Sequence, residues 1–127
     1  MNLDFTNRCV AVTGAAQGIG RTIVQALAAE GAHVWALDMD DAGLRVAAEA
    51  GAKATRTLDL ADRAAVGRVF DEMADSLGGI DILVNCAGGV RGQVAKPIEE
   101  VSEQDWLVLF EAMCTAPSGA RRPWPLT

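Results

Sequence analysis

Eight residues near the amino terminus, Thr13-Gly14-Ala15-Ala16-Gln17-Gly18-Ile19-Gly20, constrain what this chain can fold into more than any others. They separate a continuous apolar run at residues 8–13, with Cys9, Val10, Ala11 and Val12, from a helical pattern that opens at Gly18. An apolar run without polar alternation is the pattern of a strand buried on both faces. The helical pattern places Ile19, Ile23, Val24, Leu27 and Ala28 on one face, with Gly31 where a left-handed helix end belongs. The unit is strand, glycine turn, helix. In such a unit Gly14 permits the sharp turn out of the strand, Gly18 leaves room for an anion beside the helix, and Gly20 lets the helix pack closely. The unpaired N–H groups and positive dipole end at the start of a helix favour a negative group there.

The same alternation continues along the chain. Residues 33–37 form a second strand that ends in Asp38, Asp40 and Asp41, and Leu44, Ala47 and Ala48 mark a short helix broken by Gly51. Residues 54–58 make a weaker third strand, followed by a helix with the stripe Val66, Val69, Phe70, Met73 and Leu77, stopped at Gly78 and Gly79. Residues 80–84 are a fourth apolar strand interrupted only by Asp81. After a loop at residues 85–101, Ser102 with Asp105 resembles a capping box, opening a helix with Trp106, Leu109, Phe110 and Met113 on one side. Short apolar strands alternating with amphipathic helices specify an α/β, Rossmann-like, doubly wound parallel sheet of about four strands and four helices. Residues 1–115 are expected to form this domain, and residues 116–127, with three prolines, a glycine and two adjacent arginines, an irregular tail.

Composition narrows the partners. A chain of 127 residues suffices for one domain and leaves no room for a separate substrate domain beside a complete dinucleotide fold. The net charge is −6, and the eleven Lys and Arg are scattered, so neither nucleic acid nor an anionic membrane is an expected partner. No leader pattern opens the sequence and no apolar run approaches the roughly 18 residues of a membrane span, which points to the cytoplasm. Cys9, Cys86 and Cys114 lack metal-like spacing and are expected to be reduced, buried thiols; His33 is expected to be structural, and no metal site is expected.

Asp38 lies twenty residues after Gly18, at the end of the second strand, where a carboxylate can accept hydrogen bonds from the ribose hydroxyls of a dinucleotide. A carboxylate there repels the 2′-phosphate of NADP, and the neighbours Gln17 and Met39 carry no positive charge, so NAD is preferred over NADP. Asp38 can equally be a turn or helix-capping carboxylate, Asp59 a solvated cap, and Ala87-Gly88 a plain turn.

With these residues in place the chain resembles the short-chain dehydrogenase/reductase family from about residue 4 to residue 114, because Thr13 to Gly20 matches the family's TGxxxGIG turn. Asp59-Leu60 is similar to its adenine-contacting acidic pair after the third strand. Asn85-Cys86-Ala87-Gly88 is similar to its NNAG segment, with Cys86 in place of the second asparagine. The resemblance implies that Gly14, Gln17, Gly18, Ile19, Gly20, Asp38, Asp59, Leu60, Asn85, Ala87 and Gly88 form the NAD(H) site, with Asn85 helping to hold the central sheet. It implies an oxidoreductase moving hydride between the nicotinamide and an alcohol or ketone substrate.

The family's chemistry further needs a tyrosine, a lysine four residues later, a serine and an asparagine. This chain has no tyrosine, its lysines Lys53 and Lys96 sit in no YxxxK context, and Met113 stands where the asparagine is expected. Ser118, in the proline-rich segment, precedes the position of the family serine. No catalytic residue is therefore expected in the chain, and oligomer contacts are expected to be largely missing. Three descriptions follow: a dehydrogenase truncated near Pro117 after its cofactor half, a non-catalytic NAD-binding or interaction module, or an inactive remnant with an exposed sheet edge.

Overall fold

The computed structural model describes residues 3–89 and 94–115; residues 90–93, the segment 116–127 and Ser118 within it lie outside the described residues. Strand β1 (Cys9–Thr13) is buried at every residue, as its unbroken apolar run requires. It pairs in parallel with β2 (His33–Asp38) on one side and β4 (Ile82–Asn85) on the other. Strand β3 (Ala54–Thr57) pairs with the outer side of β2, so the sheet order among the described residues is β3-β2-β1-β4. The chain thus winds outward from β1 to β3 and returns to the other side of β1 for β4, which leaves a crevice at the carboxyl ends of the strands where the winding reverses.

Side chains alternate across the sheet with the two-residue period of a strand. Val10, Val12, Val34 and Ala36 pack with Val24 of helix α1 (Gly18–Ala29) and with Leu44 and Ala47 of helix α2 (Asp41–Glu49). Ala11, Trp35 and Leu37 point the other way, onto Val66, Phe70 and Met73 of helix α3 (Arg63–Leu77). Two helices therefore cover one face and one helix the other. The ends of α3 are set by side-chain and backbone chemistry: Asp62 accepts the Ala65 N–H at 3.0 Å, and Gly78 ends the helix at φ +75°. Gly31 takes φ +83° after α1, as its position implies.

Several expectations shift. The first strand starts at Cys9, the second extends to Asp38, the third ends at Thr57 and the fourth begins at Ile82. The last change has a physical cause: Asp81 Oδ2 accepts the Cys9 N–H at 2.8 Å while the Asp81 N–H donates to Cys9 O at 2.9 Å. A side chain thus replaces the ladder at the start of the β1–β4 pair. Ile19 leaves the core face of α1 and is 76% exposed. Cys9 is buried, and that burial pushes its thiol up; Cys86 is only half-buried, against expectation, and the Cys114 side chain lies outside what is described. His33 is half-buried within β2.

Helix α4 (Glu103–Phe110) opens with the expected capping box, Ser102 Oγ accepting the Asp105 N–H and Asp105 Oδ2 accepting the Ser102 N–H, both at 3.1 Å. None of its residues belongs to either core cluster, although Leu109 is half-buried. Trp106 and Phe110 stack with ring centroids 6.1 Å apart and are each about half exposed, while Met113 falls in a π-helical turn, Glu111–Thr115. Among the described residues no helix is long and apolar enough to cross a membrane.

The cap has a pH signature. Lys96 Nζ lies 2.7 Å from Asp105 Oδ2 and, with Ser102, lowers the Asp105 carboxyl from 3.8 to about 2. The depressed value means that the unfolded chain takes up the proton first, so the contribution of this carboxylate to stability is complete above about pH 4 and is lost as pH falls through about 2. In an acid titration followed by NMR, Asp105 is expected to titrate near 2, and Lys96→Met to move it back toward the ordinary carboxylate range.

Candidate functional site

A cleft of about 650 Å³ opens at the carboxyl ends of the strands. One wall is the turn between β1 and α1. Gly14 leaves the strand at φ +66°, and a Cβ there would lie 2.6 Å from Ala87 N, so the turn and the segment after β4 touch backbone to backbone. The contact is fastened by Thr13, only 1% exposed, whose Oγ1 accepts the Ala87 N–H at 3.2 Å and donates to Val84 O at 3.5 Å. Gly20 faces the same turn rather than the sheet: a Cβ there would sit 2.0 Å from Gly14 O. Helix α2 closes in from outside, where a Cβ on Gly43 would come within 2.6 Å of the Ala16 methyl.

Ten of the eleven expected site residues line the cleft. Gly14, Gln17, Gly18, Ile19 and Gly20 form the turn side, Asp38 the end of β2, Asp59 and Leu60 the end of β3, and Ala87 and Gly88 the segment after β4. Asn85 does not; it is exposed at the end of β4 beside Thr13 in register. Sequence reasoning missed Leu37, Leu58 and Ala112 as lining residues, and treated Cys86 as core although it borders the cleft. Leu37 and Leu58 are the last inward residues before each strand's acidic end, a regular position that periodicity alone could have supplied. Ala112 could not have been found so, because it reaches the cleft only through the π-helical turn.

The electrostatics favour an anion at one end and hydroxyl donors at the other. Helix α1 has no side-chain cap and no acidic residue in its first turn, so its amino-terminal N–H groups are left for something else. A Cβ on Gly18 would meet nothing within 4 Å, so the space beside that helix start is open to the cleft. Beside the turn, Asp38 accepts the Ala16 N–H at 3.0 Å through Oδ2 and the Asp40 N–H at 3.0 Å through Oδ1, and each oxygen keeps capacity to accept a further hydrogen bond. Asp59 Oδ1 accepts the Ala61 N–H at 2.9 Å. Among the described residues no three metal-ligating side chains come together. Among the described residues, the titratable groups bordering the cleft are Asp38, Asp59 and Cys86.

Met113, where the family asparagine is expected, roofs the segment after β4. Its Sδ accepts the Gly89 N–H at 3.4 Å, and a Cβ on Gly88 would lie 2.8 Å from the same sulfur. A side chain at this position would require the flexible end of Met113 to shift.

Comparison with known proteins agrees with the geometry. The sequence profile of the short chain dehydrogenase family matches residues 8–120. The chain is 43% identical over 115 residues to D-threitol dehydrogenase of Mycolicibacterium smegmatis, spanning 84% of this chain and 43% of that protein. It is 38% identical over 118 residues to galactitol 2-dehydrogenase of Agrobacterium fabrum, spanning 91% of this chain and 44% of that protein. A short-chain type dehydrogenase/reductase structure from Mycobacterium ulcerans superimposes with a TM-score of 0.83 at 25% identity, covering 93% of this chain and 45% of that one. The chain spans less than half the length of the relatives it matches.

Gly20→Ala tests the close approach. Alanine gains about 1 kcal/mol of helix propensity, but here its Cβ would collide with the Gly14 carbonyl, a backbone atom that cannot swing away. Overpacking of this kind costs roughly 1–3 kcal/mol or more, so urea unfolding is expected to show net destabilisation.

Proposed function

Since the chain belongs to the short-chain dehydrogenase family, we propose that its cleft holds NAD(H), as the cofactor half of an oxidoreductase acting on an alcohol or ketone. The pyrophosphate lies in the crease at Gly18, held by the start of α1 with Gly14, Gln17, Ile19 and Gly20 around it. Asp38 accepts the adenosine ribose hydroxyls, Asp59 and Leu60 border the adenine, and Ala87 and Gly88 border the rest of the cofactor. Bound nicotinamide supplies the hydride donor or acceptor; the residues of this chain bind and orient it. Asn85, outside the cleft, serves the strand end and not the cofactor.

The observation that carries this reading is the placement of Asp38, an acidic side chain at the end of β2 within a cleft that an uncapped helix start also borders. The same carboxylate disfavours a 2′-phosphate, so NAD is the cofactor preferred over NADP. An alcohol substrate is supported by the relatives, which are a threitol and a galactitol dehydrogenase. Free Cys9 and Cys86 fit a reducing cytoplasm.

Titration of the chain with NADH and NADPH, by nucleotide fluorescence and thermal unfolding, separates the possibilities. NADH at a hundred times its dissociation constant is expected to stabilise the fold by about 2.7 kcal/mol, with NADPH well behind. Equal or stronger stabilisation by NADPH removes the role given to Asp38; absence of any binding removes the cofactor reading.

A further inference from the structure

Ala16 is the most tightly held residue of the glycine turn. It is buried to 1%, its N–H donates to Asp38 Oδ2 at 3.0 Å, and its carbonyl accepts from Arg21 Nη2. The preceding residue is tied as well, with the Ala15 N–H donating to Leu37 O at 3.2 Å. Side chains of opposite charge thus grip the two polar groups of one alanine from β2 and from α1.

The position of Arg21 is costly in two ways. Its Nε is buried without a hydrogen-bond partner among the described residues, although arginine ordinarily extends into water. It also puts a cation near the amino-terminal end of α1, where the helix dipole is already positive and no acidic residue offsets it. Arg56, by contrast, is paired with Glu72, and Arg45 with Asp41. A cation kept at such a place gains its return from the Ala16 carbonyl and from the anion that the helix start would hold.

We propose that Arg21 is a positioning residue of the nucleotide site: with Asp38 it clamps Ala16 and so fixes the turn whose next N–H groups receive the pyrophosphate. The inference rests on the reading of the cleft as an NAD(H) site. Arg21 itself does not line the cleft, so it acts through the turn and not by touching the cofactor. Asp38 then has two tasks, holding the turn from behind and accepting the ribose in front.

The test uses the full chain, with NADH and with inorganic pyrophosphate as a competitor that can reach only the turn. In Arg21→Met, which keeps the length and loses the donors, affinity for both probes is expected to fall about tenfold when measured well below the unfolding midpoint, as for a lost hydrogen bond to a charged group. Arg21→Lys, which keeps a charged donor, is expected to recover part of that loss, and it carries the comparison if Arg21→Met does not fold. A residue that is merely structural would lower the unfolding midpoint and leave the affinities of the folded chain unchanged; that result, or an Arg21→Lys chain no tighter than Arg21→Met, overturns the inference alone. Failure of the unsubstituted chain to bind NADH overturns the reading of the cleft and the inference with it.

Discussion

Everything in this molecule hangs on one backbone contact, the approach of Gly14 to Ala87. With no side chain between them, the end of β1 and the segment after β4 lie at van der Waals distance or closer, and Thr13 locks them through one hydroxyl that both accepts and donates. Spread that contact by the width of a methyl group and the cleft has no shared floor. The glycine turn, the start of α1 and the loop under Met113 are all referred to it. Thr13 is only 1% exposed, so its hydroxyl has its partners here within the protein, Val84 O and the Ala87 N–H.

Around this contact the two layers of core divide the work. The layer under α1 and α2 is built from small and branched residues, Val10, Val12, Val34, Ala36 and Ala47, which bring the helices close enough for Gly43 to seat on Ala16. The layer under α3 carries the bulk, with Trp35, Phe70 and Met73. Arg56 adds to its outer rim by lying 4.9 Å from the Trp35 ring while paired to Glu72.

Much of this was legible in the residues. The glycine turn, the acidic strand end at Asp38, the caps at Gly31, Gly78 and Ser102, and the alternation of strand and helix are local signals, each readable within a dozen residues. What escaped depends on partners far along the chain. Ile19 fits a helical stripe by spacing, yet it is turned toward the cleft because Gly20 takes the close position against the turn. Asp81 looks like a blemish in a strand until its carboxylate meets the N–H of Cys9. Asn85 carries a motif-like position but stands at the open side of β4, and Ala112 enters the cleft only because a π-helical turn resets the helical phase.

The separation of contacts along the chain also sets an order of assembly. The wall that joins Ala16 to Asp38 closes a span of 22 residues, whereas the bonds that seat β4 on β1, Asp81 with Cys9 and Thr13 with Ala87, close spans of 72 and 74. Loop-closure entropy grows with such spans, and non-local pairing slows folding. One side of the cleft is therefore closed by the shorter loop, and the other by loops more than three times as long that include all of α3. On a chain made from its amino terminus, the residues that join the glycine turn to the end of β2 are all present before any residue of β4 that gives the cleft its other side.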